Sequence, residues 1–136
     1  MRETTVMSSF FRRALSGEAL TIDGDGMQSR NFVYVTDLAQ AHVLALRPEA
    51  EDQVLNLDGP EPVTIRQVAE ITAALVGETG QEVEVSFGPS RPGDLAAQTV
   101  RNDASREVLG WTPQVDIHDG MRRSFEWYVA NRLPAT

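Results

Sequence analysis

The run TIRQVAEITAALVG, residues 64–77, constrains the fold more than any other part of the chain. Ile65, Val68, Ile71, Thr72 and Leu75 recur at helical spacing, Thr64 and Gln67 have the spacing of a capping box, and Gly77 marks the stop. A helix with one apolar stripe must bury it against another layer. Short strand candidates stand on both sides, QVLNL (53–57) before the helix and EVEVSF (82–87) after it, with the turn-forming DGPEP between the first strand and the helix.

The same alternation runs through the chain. Val6, Met7, Phe10, Phe11, Ala14 and Leu15 make an amphipathic N-terminal helix with Gly17 placed to cap it. ALTI and NFVYV read as strands separated by the turn DGDG. Thr36 or Asp37 is placed to cap a helix carrying Leu38, Ala41, Val43, Leu44 and Ala45, which Pro48 ends. GPSRPGDLAAQT is an irregular loop held open by two prolines and two glycines. Asp103 is placed to cap a short helix to Leu109, and Asp116 a last helix with Ile117, Met121, Ser124, Phe125 and Tyr128 facing inward. Alternating helices and short strands predict an α/β or α+β-like body, a single domain over residues 1–136.

Composition narrows the chemistry. The 136 residues contain no cysteine, which removes disulfides, thiolate nucleophiles and Cys-based zinc sites. The two histidines, His42 and His118, are far apart, so no metal site is expected. All twelve positive charges are arginine, and a net charge of -8 argues against general nucleic-acid binding. No apolar run approaches the ~18 residues of a membrane span, and the N-terminal residues lack a signal-peptide core, so the expected location is the cytoplasm.

Phosphate binding would have to be local. Arg30 and Arg91 adjoin glycine-bearing loops, and guanidinium forks match phosphate oxygens bidentately; the same residues also fit ordinary surface ion pairs. Asp94 is close enough in sequence to orient or neutralise Arg91. Gly24 and Gly26 fit a hairpin turn, and no G-x-G-x-x-G or P-loop pattern occurs. Asp23/Asp25 and Asp116/Asp119 fit turn and cap roles better than a metal or acid-base couple, and Trp111, Trp127 and Tyr128 fit core positions better than a stacking platform.

Three blocks taken in order, GEALTIDGDGMQSRNFVYVTDLAQAHVLAL, VLNLDGPEPVTIRQVAEIT and RPGDLAAQTVRNDASREVLGWTPQVDIHDGMRRSFEWY, resemble the C-terminal, substrate-binding half of the NAD-dependent epimerases/dehydratases. These are extended short-chain dehydrogenases that act on nucleotide-sugars, and the RPGD form is most similar to UDP-glucose 4-epimerases. The resemblance implies that Arg30 and Arg91 contact the substrate diphosphate and that Asp94 meets the nucleotide ribose or supports Arg91. It places Phe11 and Leu20 near the base pocket and Gln98 where a residue limits sugar size, although an amide there departs from the pattern. Asn31 stands where the family usually has Asp.

The family binds NAD through an N-terminal Rossmann domain and reacts through a Tyr-x-x-x-Lys pair, and this sequence has neither that fingerprint nor a lysine. By this resemblance the chain binds a nucleotide-diphosphate sugar but no NAD, has no catalytic residue of its own and is inactive alone. It would be a truncated product, an isolated domain or a binding half working with another polypeptide. The alternatives are a non-catalytic regulatory module and an inert fragment. Apolar faces that would pack against the missing domain, on LAQAHVLAL and VLNL, imply self-association or a Rossmann-domain partner.

Overall fold

A computed structural model describes residues 5–90 and 102–131. Helix α1 is Val6–Leu15, and Thr5 caps its start by accepting from the Ser8 amide. Its end closes as the sequence predicts: the Gly17 amide donates to Ala14 and the Glu18 amide to Arg13 in a Schellman pair. Strand β1, Leu20–Asp23, follows and pairs in parallel with β4, Val85–Gly88. Strand β2, Ser29–Asn31, pairs antiparallel with β3, Pro62–Thr64, placing Arg30 opposite Val63.

Helix α2 is Val35–Leu44, followed by a short 3-10 turn at Pro48–Ala50. Helix α3, Ile65–Gly77, has the complete capping box expected from Thr64 and Gln67. Helix α4 is Asp103–Leu109, and α5 is Ile117–Ala130 with Asp116 accepting from the Asp119 amide. The mixed α/β class therefore stands, with two small sheets among the described residues and helices packed around them.

The main core lies where α1, α3 and α5 meet β1. Phe10, Phe11, Leu20, Ile22, Val68, Leu75, Met121 and Phe125 are all buried there, and the Phe11 ring meets Phe125 edge-on at 5.4 Å between centroids. A second, smaller cluster centres on Ala41, Leu109 and Trp111, with Val33, Leu44, Leu55 and Leu57 partly buried against it.

Five local expectations need correction. NFVYV does not continue as a strand: the ladder covers only residues 29–31, and α2 begins at Val35 after Tyr34. Neither Thr36 nor Asp37 caps that helix, because the Asp37 carboxylate is buried and accepts from the Gln114 and Val115 amides, both at 2.9 Å. QVLNL forms no strand, since no neighbouring strand pairs with it, and Val54 is 94% exposed. Trp111 is core as expected, its indole N–H donating to the Asp37 carbonyl, but Trp127 is 61% exposed on the outer face of α5. The Asp103 cap shifts by one residue to Asn102.

Candidate functional site

Arg30 sits at the middle of β2, and its position is fixed by what surrounds that strand. The preceding turn takes both glycines at positive φ, 71° for Gly24 and 74° for Gly26. A β-carbon on Gly26 would come within 3.0 Å of Ile22 and 3.1 Å of the Arg66 side chain, so this glycine serves packing of the turn. Asp25 closes the turn by accepting from the Met27 amide at 2.9 Å. Arg66, at the start of α3, then bolts it down. Its guanidinium donates to the Asp25 carbonyl at 2.8 Å and lies 4.8 Å from the centre of the Phe87 ring. The Arg66 and Ile65 amides donate to the Gly26 and Gln28 carbonyls, tying the first turn of α3 to the approach of β2.

The Arg30 side chain is half-buried, and one guanidinium nitrogen donates to the Ser29 carbonyl at 2.7 Å. Beyond it, Asn31 donates to the buried carboxylate of Asp58, whose other oxygen accepts from the Gly59 amide. An aspartate at 31 would set two carboxylates against each other there, which accounts physically for the amide at this position. Sequence reasoning read Asp58 only as part of a turn.

The remaining sequence-derived site residues fall elsewhere. Phe11 and Leu20 are buried in the main core, where their surface is spent on packing. Arg91, Asp94 and Gln98 lie outside the described residues.

Among the described residues, cavities open beside the helices, two of them near α3, α5 and the end of β2. A groove of about 670 Å³ between α3 and α5 carries Glu61, Glu70, Glu78, Asp116 and Asp119 against a single arginine, Arg122. Its charge repels a diphosphate, so size alone does not make it the site. Within it, Arg122 grips Glu78 with two hydrogen bonds of 2.6 and 2.8 Å. That hydrogen bond, and secondarily the arginine's charge, holds the Glu78 carboxyl below its ordinary value and the Arg122 guanidinium above its own. A smaller cavity of about 250 Å³ opens two residues beyond Arg30, lined by Met7, Phe32, Tyr34, Val35 and Met121 among others. Its walls are mainly apolar and aromatic, with Asp116 and Ser124 as polar members, a surface suited to a flat ring with polar edges.

The described residues do not form a dinucleotide cradle. The glycine pair after β1 leads into β2 and not into a helix N-terminus, the arrangement that would place amides around a pyrophosphate. Among the described residues no group of three or more His, Asp or Glu side chains is placed to hold a metal, and no helix is long and apolar enough to cross a membrane.

The fold defines the class, a segment of the Rossmann-like epimerase fold. Residues 1–57 match the model of the NAD dependent epimerase/dehydratase family. The UDP-glucose 4-epimerase of Mycolicibacterium smegmatis is 34% identical over 126 residues, covering 93% of this chain and 39% of that protein. The crystal structure of UDP-glucose 4-epimerase from Thermotoga maritima with UDP-glucose superposes with a TM-score of 0.80 at 29% identity, over 93% of this chain and 40% of that one. MoeE5 in complex with UDP-glucose and NAD gives a TM-score of 0.80 at 30% identity, over 96% and 43% respectively. The chain is thus similar to members of the NAD dependent epimerase/dehydratase family, and it spans about 40% of the length of these relatives.

Proposed function

We propose that these residues are the substrate-binding part of a nucleotide-sugar epimerase or dehydratase, with a UDP- or dTDP-sugar as ligand and Arg30 and Arg91 as the diphosphate clamp. The observation that carries this reading is Arg30 itself. The net charge is -8, yet a residue on a strand tied at both ends presents a half-buried guanidinium, and a mainly apolar cavity opens at Phe32, two residues further on. The likeness to an epimerase holding UDP-glucose supports it.

In this reading the guanidinium forks neutralise the diphosphate, Asp94 orients Arg91 or meets the ribose, and the cavity at Met7 and Phe32 receives the base. Gln98 would face the sugar. NAD, which supplies hydride chemistry in such enzymes, and the tyrosine and lysine that use it would be carried outside these 136 residues, in further sequence of the same polypeptide or in another. The exposed apolar side chains of α2 and of residues 53–57 support a contact with that body or with a second copy.

Calorimetric titration with UDP-glucose tests the clamp, with uridine as the ligand that lacks the diphosphate. Binding of UDP-glucose that Arg30→Ala weakens by roughly tenfold or more, alongside little binding of uridine, is expected for a charge-assisted contact. No heat at millimolar UDP-glucose, or an unchanged affinity in Arg30→Ala, would overturn it.

A further inference from the structure

We infer that Asp58 and Gly59 form a clasp that sets the place of Arg30, with Asp58 a positioning residue that acts through Asn31. This rests on the reading of Arg30 as a diphosphate ligand.

Two independent features meet at the end of β2. The first is polar: Asp58, only 7% exposed, accepts from the Asn31 side-chain amide on one oxygen and from the Gly59 amide on the other. A buried carboxylate without donors is costly, so both donors are tied to it and the strand end is tied with them. The second is steric. Gly59 lies against the backbone of Phe32 so closely that a β-carbon there would fall 2.1 Å from the Phe32 carbonyl oxygen and 3.2 Å from its nitrogen. Only glycine allows that approach. Residues 31 and 32 are therefore gripped by side chain and by backbone, while β3 holds residues 29–31 through the ladder. Arg30 is enclosed between the two, so its guanidinium starts from a fixed base and loses less freedom on meeting a ligand.

The polarity of the clasp is specific to this pair. N31D would face two carboxylates across the contact, and like charges at hydrogen-bond distance push one of the two pKa values up so that the pair shares a proton. D58N combined with N31D exchanges donor and acceptor and restores the contact. A residue that merely contributed bulk would show neither behaviour.

The test uses UDP-glucose, whose diphosphate has no ionisation between pH 5 and 8, with the protein, N31D and N31D/D58N. N31D is expected to weaken UDP-glucose roughly tenfold at pH 8 and to recover toward pH 5, as the shared proton supplies the lost donor. N31D/D58N is expected to bind within about threefold of the unsubstituted protein at both values, because the exchanged pair again sets one donor against one acceptor and the two changes couple. Carbon-detected NMR of N31D without ligand is expected to show the carboxyls at 31 and 58 titrating together, one well above the ordinary aspartate range. Two independent, ordinary titrations would overturn the clasp whatever the ligand does. A coupled titration with UDP-glucose affinity unchanged in N31D would overturn its positioning role. Absence of UDP-glucose binding to the unsubstituted protein would defeat the nucleotide-sugar reading, and the positioning role with it, while the titration still decides the contact.

Discussion

The main core and the α2 region are built from similar residues and end up very differently packed. In the core, α1, α3 and α5 close around β1, so Leu20, Ile22 and Val68 lose essentially all contact with water. Around α2, only Ala41 and Asp37 of the helix are buried, while Val35 and Val43 stand out and Leu46, just past its end, is 85% exposed. The second cluster therefore buries Ala41, Leu109 and Trp111 but leaves Val33, Leu44, Leu55 and Leu57 only partly covered. One region completes its own burial; the other leaves Val35, Val43 and Leu46 exposed beside a small buried centre. The site strand β2 is attached to the first by β3 and α3, and leads into the second through residues 32–34.

This contrast can be broken most forcefully in the core. Phe125→Ala is expected to cost about 3–5 kcal/mol, a large part of the stability of a domain this size, in denaturant unfolding. Leu57→Ala, a truncation in the half-open cluster, is expected to cost about 1 kcal/mol. Equal losses would mean that the second cluster is as closed as the first.

Asp37→Ala probes the seam between them. It leaves the Gln114 and Val115 amides without their acceptor, and about 1–3 kcal/mol is expected, with faster exchange at those two amides. Val43→Glu with Leu46→Glu changes only exposed positions, so stability should move by no more than about 0.5 kcal/mol, while light scattering checks whether the association proposed for this face is lost.

The smallest effect concerns Glu78. Its pKa is lowered in the folded chain, chiefly by the hydrogen bond from Arg122, so the pair stabilises above the ordinary glutamate value of 4.5 and loses that contribution as pH falls through the folded value. Arg122→Ala should return the Glu78 titration upward in NMR, with little change in melting because both groups lie in solvent.

What could be read in the sequence was whatever depends on neighbours a few residues away. The capping box at Thr64 and Gln67, the Asp116 cap and the Gly17 stop are local, and each appears where its residues predict. A strand needs a partner, and spacing cannot supply one: NFVYV and QVLNL have strand composition, yet no ladder forms along residues 32–34 or 53–57. The carboxylates were the hardest to read. Asp37 looks like a helix cap and Asp58 like a turn residue, but their partners lie 77 and 27 residues away. At the site, the motif led to Arg30, whereas the residues that fix it emerged only from packing.

Hydrogen exchange followed by mass spectrometry, with and without UDP-glucose, examines both halves of the contrast together with the site. Slow exchange is expected in β1, α3 and α5, fast exchange in α2 and residues 53–57, and new protection at residues 29–31 when UDP-glucose is added. An α2 that exchanges as slowly as α3, with residues 29–31 indifferent to UDP-glucose, would contradict both the half-open cluster and the diphosphate clamp.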